Sequence, residues 1–291
     1  MERKNIVVSC DTTIAMSKAQ IEELGLHVIP LNAIADGVEY HDTVDIDANK
    51  LCELMRNGAK ISTSTPTIVE IEDYFDKLFE ETKADVVIHF TISGHLSSMF
   101  SLFTTVCQER YGDKVIVVDS GSVCCFMANQ VLYAKQLAEK GYEVEEIINK
   151  VKSELFGTED AIFVPESLEY LKNGGRISPA VATIANLIGV LPILTFKDGV
   201  VGKQGVTRTV KKAFMTNFEE WKKNIPTLKE DYVLVVLTSS EQDEAKIEKA
   251  KEILQIINPE MEVIYRHFSL NVTAHAGPGV VGLAIMKKYE M

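Results

Sequence analysis

The side chains with the greatest potential for chemistry are hydroxyl groups that follow short apolar runs. They lie in residues 10–13 (Cys-Asp-Thr-Thr), 91–98 (Thr-Ile-Ser-Gly-His-Leu-Ser-Ser) and 119–122 (Asp-Ser-Gly-Ser). A further cluster occupies residues 62–67 (Ser-Thr-Ser-Thr-Pro-Thr), ahead of a helical pattern. In an open parallel sheet, ligands bind outside the carboxyl ends of the strands. The pattern therefore predicts a neutral lining of hydrogen-bond donors at one edge of a sheet.

Helix capping is the alternative role for each hydroxyl taken singly. Thr67 and Glu70 fit a capping box, and Ser97 fits a plain N-cap. Three hydroxyl residues precede no helix that obviously needs a cap: Thr63, Ser64 and Ser93. This excess of donors over helix starts favours a ligand.

A neutral donor set suits one anionic group. No cluster of Lys and Arg accompanies the hydroxyls, so a polyphosphate fits poorly, and a single carboxylate that accepts two or three neutral hydrogen bonds is the better match. Neighbouring apolar side chains either surround an attached hydrocarbon or form plain core: Ile92, Leu96, Met99, Phe100, Phe103, Phe126 and Met127.

Two further segments combine glycine with a side chain of functional potential. Residues 277–282 satisfy Gly-x-Gly-x-x-Gly, but they lie too near the end of the sequence for a βαβ unit to follow. We interpret them as a tight turn opening a last helix, Gly279–Tyr289, with His275 at its N-terminal mouth. Residues 173–179 (Asn-Gly-Gly-Arg-Ile-Ser-Pro) project Arg176, either toward a neighbouring acid or toward an anion or acidic partner.

Other common catalytic and binding patterns do not occur. The sequence has no Gly-x-Ser-x-Gly elbow, P-loop, kinase signature or His-Glu-x-x-His, so no metal site is expected. Five irregularly spaced cysteines indicate a reducing cytoplasm. The net charge of -12 disfavours nucleic acid as a partner. No signal-peptide pattern is present, and no apolar run approaches the roughly 18 residues of a membrane span.

The order of predicted elements indicates two α/β domains. The 291 residues, 46% of them hydrophobic, suffice for a full core. In residues 1–158, apolar strands alternate with helices, which predicts a parallel sheet covered on both faces. Asp36-Gly37 predicts a hairpin there. In residues 159–291, hairpins and helices alternate less regularly, which predicts a mixed α/β domain.

Several segments together resemble the DegV family, the bacterial fatty-acid-binding proteins that serve fatty acid kinase. They are Asp11-Thr12-Thr13, Thr63–Pro66, Ile92–Ser97, Val118-Asp119-Ser120, Leu168–Ile177, Arg208-Thr209 and His275–Gly279. The Leu-Glu-Tyr-Leu…Gly-Gly-Arg-Ile and His-Ala-Gly-Pro-Gly segments are specific in order and spacing. The resemblance covers essentially the whole chain.

The resemblance implies that a long-chain fatty acid is buried between or within two α/β domains. Its carboxylate would be bound by hydroxyls that map to Thr63 and Ser93 on loops of the first domain, with His275 near the head group. The full set of expected ligand-binding residues is Thr63, Ser64, Ser93, Gly94, Ser97, Ser120, His275 and Gly277. Arg176 would face the catalytic subunit of fatty acid kinase, which phosphorylates the bound carboxylate for phospholipid synthesis. Such a chain has no catalytic residue or cofactor of its own.

The sequence departs from the family pattern at Thr65, Gly94 and Ala15, where the family commonly has glutamine, a hydroxyl residue and an acid. It also adds bulk at His95 and Met99. Two alternative functions also remain open. One is a serine-type hydrolase or acyltransferase that uses Ser93 with His275 or His95. The other is a binder of another apolar carboxylic acid.

Overall fold

The computed structural model describes residues 4–175, 189–240 and 242–289, which contain three β-sheets. The strands are β1 Ile6–Asp11, β2 His27–Ile29, β3 Asn32–Ala35, β4 Val38–His41, β5 Ile61–Ser64, β6 Val86–Thr91, β7 Val115–Asp119, β8 Asp160–Val164, β9 Leu191–Lys197, β10 Val200–Thr207, β11 Tyr232–Thr238, β12 Val263–His267 and β13 Val281–Lys287. The helices are α1 Lys18–Glu23, α2 Ala48–Arg56, α3 Ile68–Thr82, α4 Met99–Tyr111, α5 Cys124–Lys140, α6 Val144–Leu155, α7 Glu169–Asn173, α8 Val210–Asn224, α9 Leu228–Asp231, α10 Glu244–Ile257 and α11 Leu270–Ala276. Short 3-10 turns occupy Thr12–Ile14 and Gly112–Lys114.

The first sheet is parallel, in the order β2-β1-β6-β7, as predicted. Every residue of β6 is buried, because helices cover both faces of the sheet. Val87 points into a cluster with α3 and α4, whereas Ile88, the next residue, points into a cluster with α5 and α6. This alternation is the period-2 side-chain pattern of a strand that is buried on both faces.

A small antiparallel sheet, in the order β4-β3-β5, stands beside the parallel sheet. Its turn places Asp36 and Gly37 at φ +49° and +84°, which are the left-handed conformations that a two-residue hairpin requires. The predicted hairpin is therefore confirmed. The sheet matters for function because β5 carries Thr63, which pairs with Ala33 of β3.

The third sheet has six strands in the order β10-β9-β8-β13-β11-β12 and is mixed. Its strand β13 corrects one prediction, because Gly279–Tyr289 is not a helix. Val281–Lys287 instead forms an inner strand, antiparallel to both neighbours, and its first five residues are buried. A short continuous apolar run fits a buried helix or a buried strand equally well, and here the sheet determines the outcome.

Helix α11, immediately before β13, was not predicted. It begins after Ser269, whose hydroxyl oxygen accepts a hydrogen bond from the Val272 amide at 3.3 Å. His275 is consequently a residue of the last turn of α11 and does not stand at the mouth of a following helix. The helix has seven residues, too few for a clear 3.6-residue apolar pattern in the sequence.

In sequence, all strands of the parallel sheet precede residue 158, and all strands of the six-stranded sheet follow it. The division into domains 1–158 and 159–291 stays a prediction. Ser178 as an N-cap with Pro179 at the first helical position predicts a short helix over Pro179–Leu187. That helix and Arg176 before it lie outside the described residues.

Candidate ligand-binding site

A cavity of about 320 Å³ is lined by strands of the small antiparallel sheet and of the six-stranded sheet, and by segments that follow strands of the parallel sheet. Its buried lining, which we call the interior, is largely apolar and includes Ile92, Met99, Phe126, Phe163, Phe196 and Phe268. The volume lies near the lower end of the range of small-molecule sites, roughly 300–1,000 Å³. An apolar interior of this size excludes charged ligands but accommodates a hydrocarbon.

Aromatic rings shape the interior from opposite walls. Phe126, near the start of α5, stacks on Phe196 of β9 with ring centroids 6.2 Å apart. Phe163 of β8 meets Phe268 edge to face at the same separation. Three of these four rings come from residues 159–291, the domain that the family resemblance implies completes the pocket, although no sequence pattern singles out these three phenylalanines. Nothing in the sequence distinguishes an inward-facing strand residue that lines a cavity from one that fills a core.

Some of the apolar residues expected near a hydrocarbon line this cavity and others do not. Ile92, Leu96, Met99 and Phe126 belong to the lining. Phe103 and Met127 belong instead to two separate packed clusters, on opposite faces of the parallel sheet. Phe100 lies in a different surface groove beside Asp119.

Six polar residues of the lining, five with a hydroxyl group and one with an imidazole, are at least partly exposed, and we call them the mouth. It comprises Thr63, Ser64, Thr65, Ser97, Ser98 and His275. Unlike the interior residues, all six are at least partly exposed to solvent. The cavity therefore has a buried apolar end and a solvent-accessible polar end.

Thr63 and His275 form the central polar contact of the mouth. Thr63 Oγ1 on β5 lies 3.0 Å from His275 Nε2 on α11, although 212 residues separate them in sequence. A hydroxyl and an imidazole N–H can each donate a hydrogen bond to a carboxylate oxygen. The structure thus brings together two of the predicted head-group residues.

Two further hydroxyls of the mouth, those of Ser64 and Ser97, have hydrogen-bond partners within the protein. Ser64 Oγ donates to a carboxylate oxygen of Glu39 at 3.3 Å. Ser97 Oγ accepts a hydrogen bond from the Met99 amide at 3.3 Å, which helps to start α4. Both predicted residues line the cavity beside Thr63.

Ser93 is fully buried and is not among the residues that line the cavity. Its Oγ donates to the Gly199 carbonyl at 2.9 Å, and its amide donates to the Ser122 carbonyl at 2.8 Å. Gly199, at φ +75°, sits so close that an added Cβ would lie 2.6 Å from Ser93 Oγ. Ser93 therefore ties the loop after β6 to the β9–β10 hairpin, and its contact with a ligand stays a prediction.

Gly94 and Ser120 also shape their loops without lining the cavity. The Gly94 amide donates to an Asp119 carboxylate oxygen at 3.1 Å, and a Cβ at Gly94 would lie 2.7 Å from the other oxygen. Ser120 Oγ donates to the Ser122 carbonyl and accepts from the Ser122 amide, which closes a tight turn before α5. Gly94 therefore leaves no room for a side chain beside Asp119, and the Ser120 hydroxyl is needed to close the turn.

Asp11 is a buried carboxyl group that holds two residues of the cavity lining in place. It accepts hydrogen bonds from the amides of Thr13 and Ile92, each at 2.9 Å. Burial raises the pKa of Asp11, and these hydrogen bonds act in the opposite direction. Because Thr13 and Ile92 line the cavity, Asp11 fixes the position of two of its walls.

Cys124 contributes a neutral thiol to the lining. Burial raises the pKa of Cys124 to about 11, although its sulfur accepts a hydrogen bond from the Ser269 amide at 3.3 Å. The side chain therefore behaves as a small apolar group at neutral pH. Cys124 has φ +55°, an unusual backbone conformation for a residue with a side chain.

In the part of the chain that the structure describes, no contact pairs Ser93 with a histidine side chain as a hydrolase would require. The Ser93 hydroxyl bonds a carbonyl, and the His275 imidazole contacts Thr63. A serine–histidine contact does exist between Ser9 and His89, at 2.8 Å, but both residues are fully buried in the core. Burial lowers the pKa of His89 to about 3. No substrate can approach that pair.

The described ranges offer neither a metal-binding cluster nor a membrane-spanning helix. No cluster of three or more His, Cys, Asp or Glu side chains suited to a metal ion occurs in residues 4–175, 189–240 and 242–289. Within the same ranges, no helix is long and apolar enough to cross a membrane.

Comparison with known sequences places this architecture in a family. A family profile described as "Uncharacterised protein, DegV family" matches residues 5–288. The chain belongs to the DegV family. A DegV domain-containing protein of Deinococcus radiodurans is 29% identical over 97% of this chain and 98% of its own length. One from Clostridium perfringens is also 29% identical, over 97% of this chain and 99% of its own.

Solved DegV structures share the fold over nearly the whole chain. A DegV family protein from Thermus thermophilus, described by its fatty acid binding, is 27% identical, with a TM-score of 0.82 over 98% of this chain and 100% of its own. DegV from Bacillus subtilis, described as a fatty acid binding protein, is 26% identical with the same TM-score and the same coverage of both chains.

The two most specific DegV segments pack directly against each other. A Cβ at Gly174 would lie 2.2 Å from His275 Nδ1, so a glycine is needed where the end of α7 meets the imidazole. A Cβ at Gly277 would lie 2.4 Å from the Tyr170 ring. Gly277 therefore acts by close packing beneath the mouth, at φ +89°, and does not line the cavity. These contacts hold His275 in position.

Proposed function

We propose that this chain binds a long-chain fatty acid, with the hydrocarbon in the interior and the carboxylate at the mouth between Thr63 and His275. The observation that carries the proposal is the polarity of the cavity, which is apolar at its buried end and has hydroxyls and an imidazole at its exposed end. The descriptions of the Thermus thermophilus and Bacillus subtilis relatives as fatty acid binding support it.

The hydrocarbon supplies the affinity in this proposal. Burial is worth about 0.8 kcal/mol per methylene, so a chain of roughly 16 carbons gains on the order of 10 kcal/mol before the cost of association. The interior rings and aliphatic side chains offer this contact without any charged group among them.

The mouth supplies orientation. Two hydrogen bonds to a carboxylate contribute about 1.5–3 kcal/mol each, far less than the chain, but they fix which end of the ligand faces solvent. Thr63 and His275 are the pair best placed to donate them, because they are neighbours and partly exposed. Both can donate to the carboxylate only when their mutual hydrogen bond opens.

A carboxylate held at a partly exposed mouth is accessible to a second protein. We propose that this partner is a fatty acid kinase subunit, which phosphorylates the carboxylate in the cytoplasm as a step toward phospholipid synthesis. The present chain would act as a non-catalytic carrier, since its sequence contains neither a P-loop nor a kinase signature. The resemblance of residues 168–177 to the family segment that faces the kinase supports Arg176 as a partner contact.

Mass spectrometry of organic extracts from the purified protein tests the binding proposal. We expect a long-chain fatty acid in near-stoichiometric amount from the wild-type protein. Val201→Trp, which fills the cavity from β10, should lose it, whereas Val200→Trp at the exposed neighbouring position should retain it. Recovery of a different apolar acid would favour the broader alternative. Absence of any lipid, together with no palmitate binding by the delipidated protein, would overturn the proposal.

A further inference from the structure

The buried part of the cavity contains one amide that its surroundings do not satisfy. Asn271 of α11 lines the cavity with only 8% of its surface exposed. Its Oδ1 is buried and has no hydrogen-bond partner. Within residues 4–175, 189–240 and 242–289, no hydrogen bond involves its Nδ2 either.

Packing of α11 does not require an amide at this position. Leu270 and Ala274, one helical turn apart, pack into a cluster with Leu51 and Met55 of α2. Asn271 instead shares the cavity-facing side with Val272, His275 and Ala276. A leucine would fill the same place among apolar neighbours. Oδ1 is the fully buried atom of this amide, and a buried acceptor without a partner is costly, which favours a polar group that arrives with the ligand.

A hydroxyl group matches this amide better than other oxygen groups. An asparagine amide offers one acceptor oxygen and two N–H donors, and the two ends exchange when the amide flips. A keto or epoxide oxygen only accepts. A hydroxyl both donates to Oδ1 and accepts from Nδ2, so it pairs with the amide in either orientation. A plain hydrocarbon chain pairs with neither end.

The helix fixes where along the ligand this hydroxyl would lie. Asn271 precedes His275 by four residues on the same helix, which separates them by about 6 Å along its axis, roughly five carbon–carbon bonds. With the carboxylate at His275, the amide faces the part of the chain closest to the carboxylate.

We propose that Asn271 selects fatty acids that carry a hydroxyl group on the carboxyl-proximal part of the chain. This inference rests on the proposed fatty-acid function and specifies its ligand class. The selecting contact is one hydrogen bond in a water-poor interior, where a hydroxyl left without a partner is penalised as well.

Competition binding to the delipidated protein tests the proposal. The ligands are palmitate and three hydroxypalmitate isomers, whose hydroxyl lies near the carboxylate, in mid-chain or at the methyl end. We expect the wild-type protein to bind the carboxyl-proximal isomer about three- to tenfold more tightly than palmitate, with no such gain for the other two. Asn271→Leu should lose the preference, measured as the ratio of the two Kd values within the same variant, and Asn271→Ser should restore part of that ratio.

The outcomes separate this proposal from the general one. If palmitate binds well but all isomers bind without preference, the selectivity assigned to Asn271 is wrong while fatty-acid binding stands. A preference that persists in Asn271→Leu likewise overturns the role of Asn271. If neither palmitate nor any isomer binds, the proposed function fails and this inference fails with it. Should Asn271→Leu not fold, the comparison among the three isomers on the wild-type protein still decides the question.

Discussion

Replacing Thr63 with valine removes one hydroxyl while it keeps the shape of the side chain. Thr63 is partly exposed on β5, so the fold should tolerate the change. The lost hydrogen bond to a charged carboxylate is worth about 1.5–3 kcal/mol, which raises the Kd for palmitate roughly ten- to hundredfold. Hexadecanol, with the same chain and no carboxylate, should lose about threefold or less, because a neutral hydrogen bond contributes less.

The assay is isothermal titration or fluorescent-lipid displacement on delipidated protein, with palmitate and hexadecanol measured side by side. Thr65→Val is the matched control, since Thr65 lines the same mouth without a hydrogen bond to His275. It should leave both Kd values within about threefold of wild type. The reasoning is refuted if Thr63→Val weakens palmitate and hexadecanol equally, or if Thr65→Val has the same effect as Thr63→Val.

Three further predictions concern the loops and the core. Ser93→Ala should lower the free energy of unfolding by about 1–3 kcal/mol, because the Gly199 carbonyl loses its hydrogen-bond donor. The same variant should reduce acyl-phosphate formation by the kinase. Unchanged values in a urea titration and in a kinase assay would contradict both expectations. Arg176→Ala should leave palmitate binding intact and weaken kinase coupling, and a fall in lipid binding would instead place Arg176 at the pocket. Burial raises the pKa of Asp42 from 3.8 to about 7, so its ionisation opposes folding increasingly above pH 4. Asp42→Asn should therefore raise the free energy of unfolding above pH 7 by up to about 4 kcal/mol and leave it unchanged at pH 4. Urea titrations that show the opposite pH dependence would refute this assignment.

The parts of the fold that were predictable are those with unambiguous local patterns. Residues 86–88 form an apolar run between two helical segments, and such a run indicates a strand buried on both faces, as in a parallel sheet covered by helices. The Asp36-Gly37 turn follows from backbone conformations that few residue pairs adopt. Both signals are contained within a few neighbouring residues.

The last strand shows where local patterns stop being sufficient. Val281–Lys287 has no alternation of polar and apolar residues, because β13 is an inner strand of its sheet. The decision between helix and strand came from partners more than 40 residues away in sequence, β8 and β11. A single sequence carries no record of those pairings.

The candidate site was predictable in kind but only partly in geometry. Hydroxyl clusters and the absence of basic groups indicated a carboxylate, and Thr63 with His275 does form the polar contact of the mouth. The bond of Ser93 to Gly199 depends on a hairpin 106 residues away, so its structural role could not be foreseen. Asn271 gave no signal in the sequence, since its meaning depends on the cavity that surrounds it.

A crystal structure of the protein with palmitate bound tests the central claim most directly. We expect the hydrocarbon to pass among Phe126, Phe163 and Phe268, and one carboxylate oxygen to lie about 2.7–3.0 Å from each of Thr63 Oγ1 and His275 Nε2. A carboxylate found at the buried end of the cavity, or a ligand seated elsewhere while this space is filled by side chains, would contradict the account.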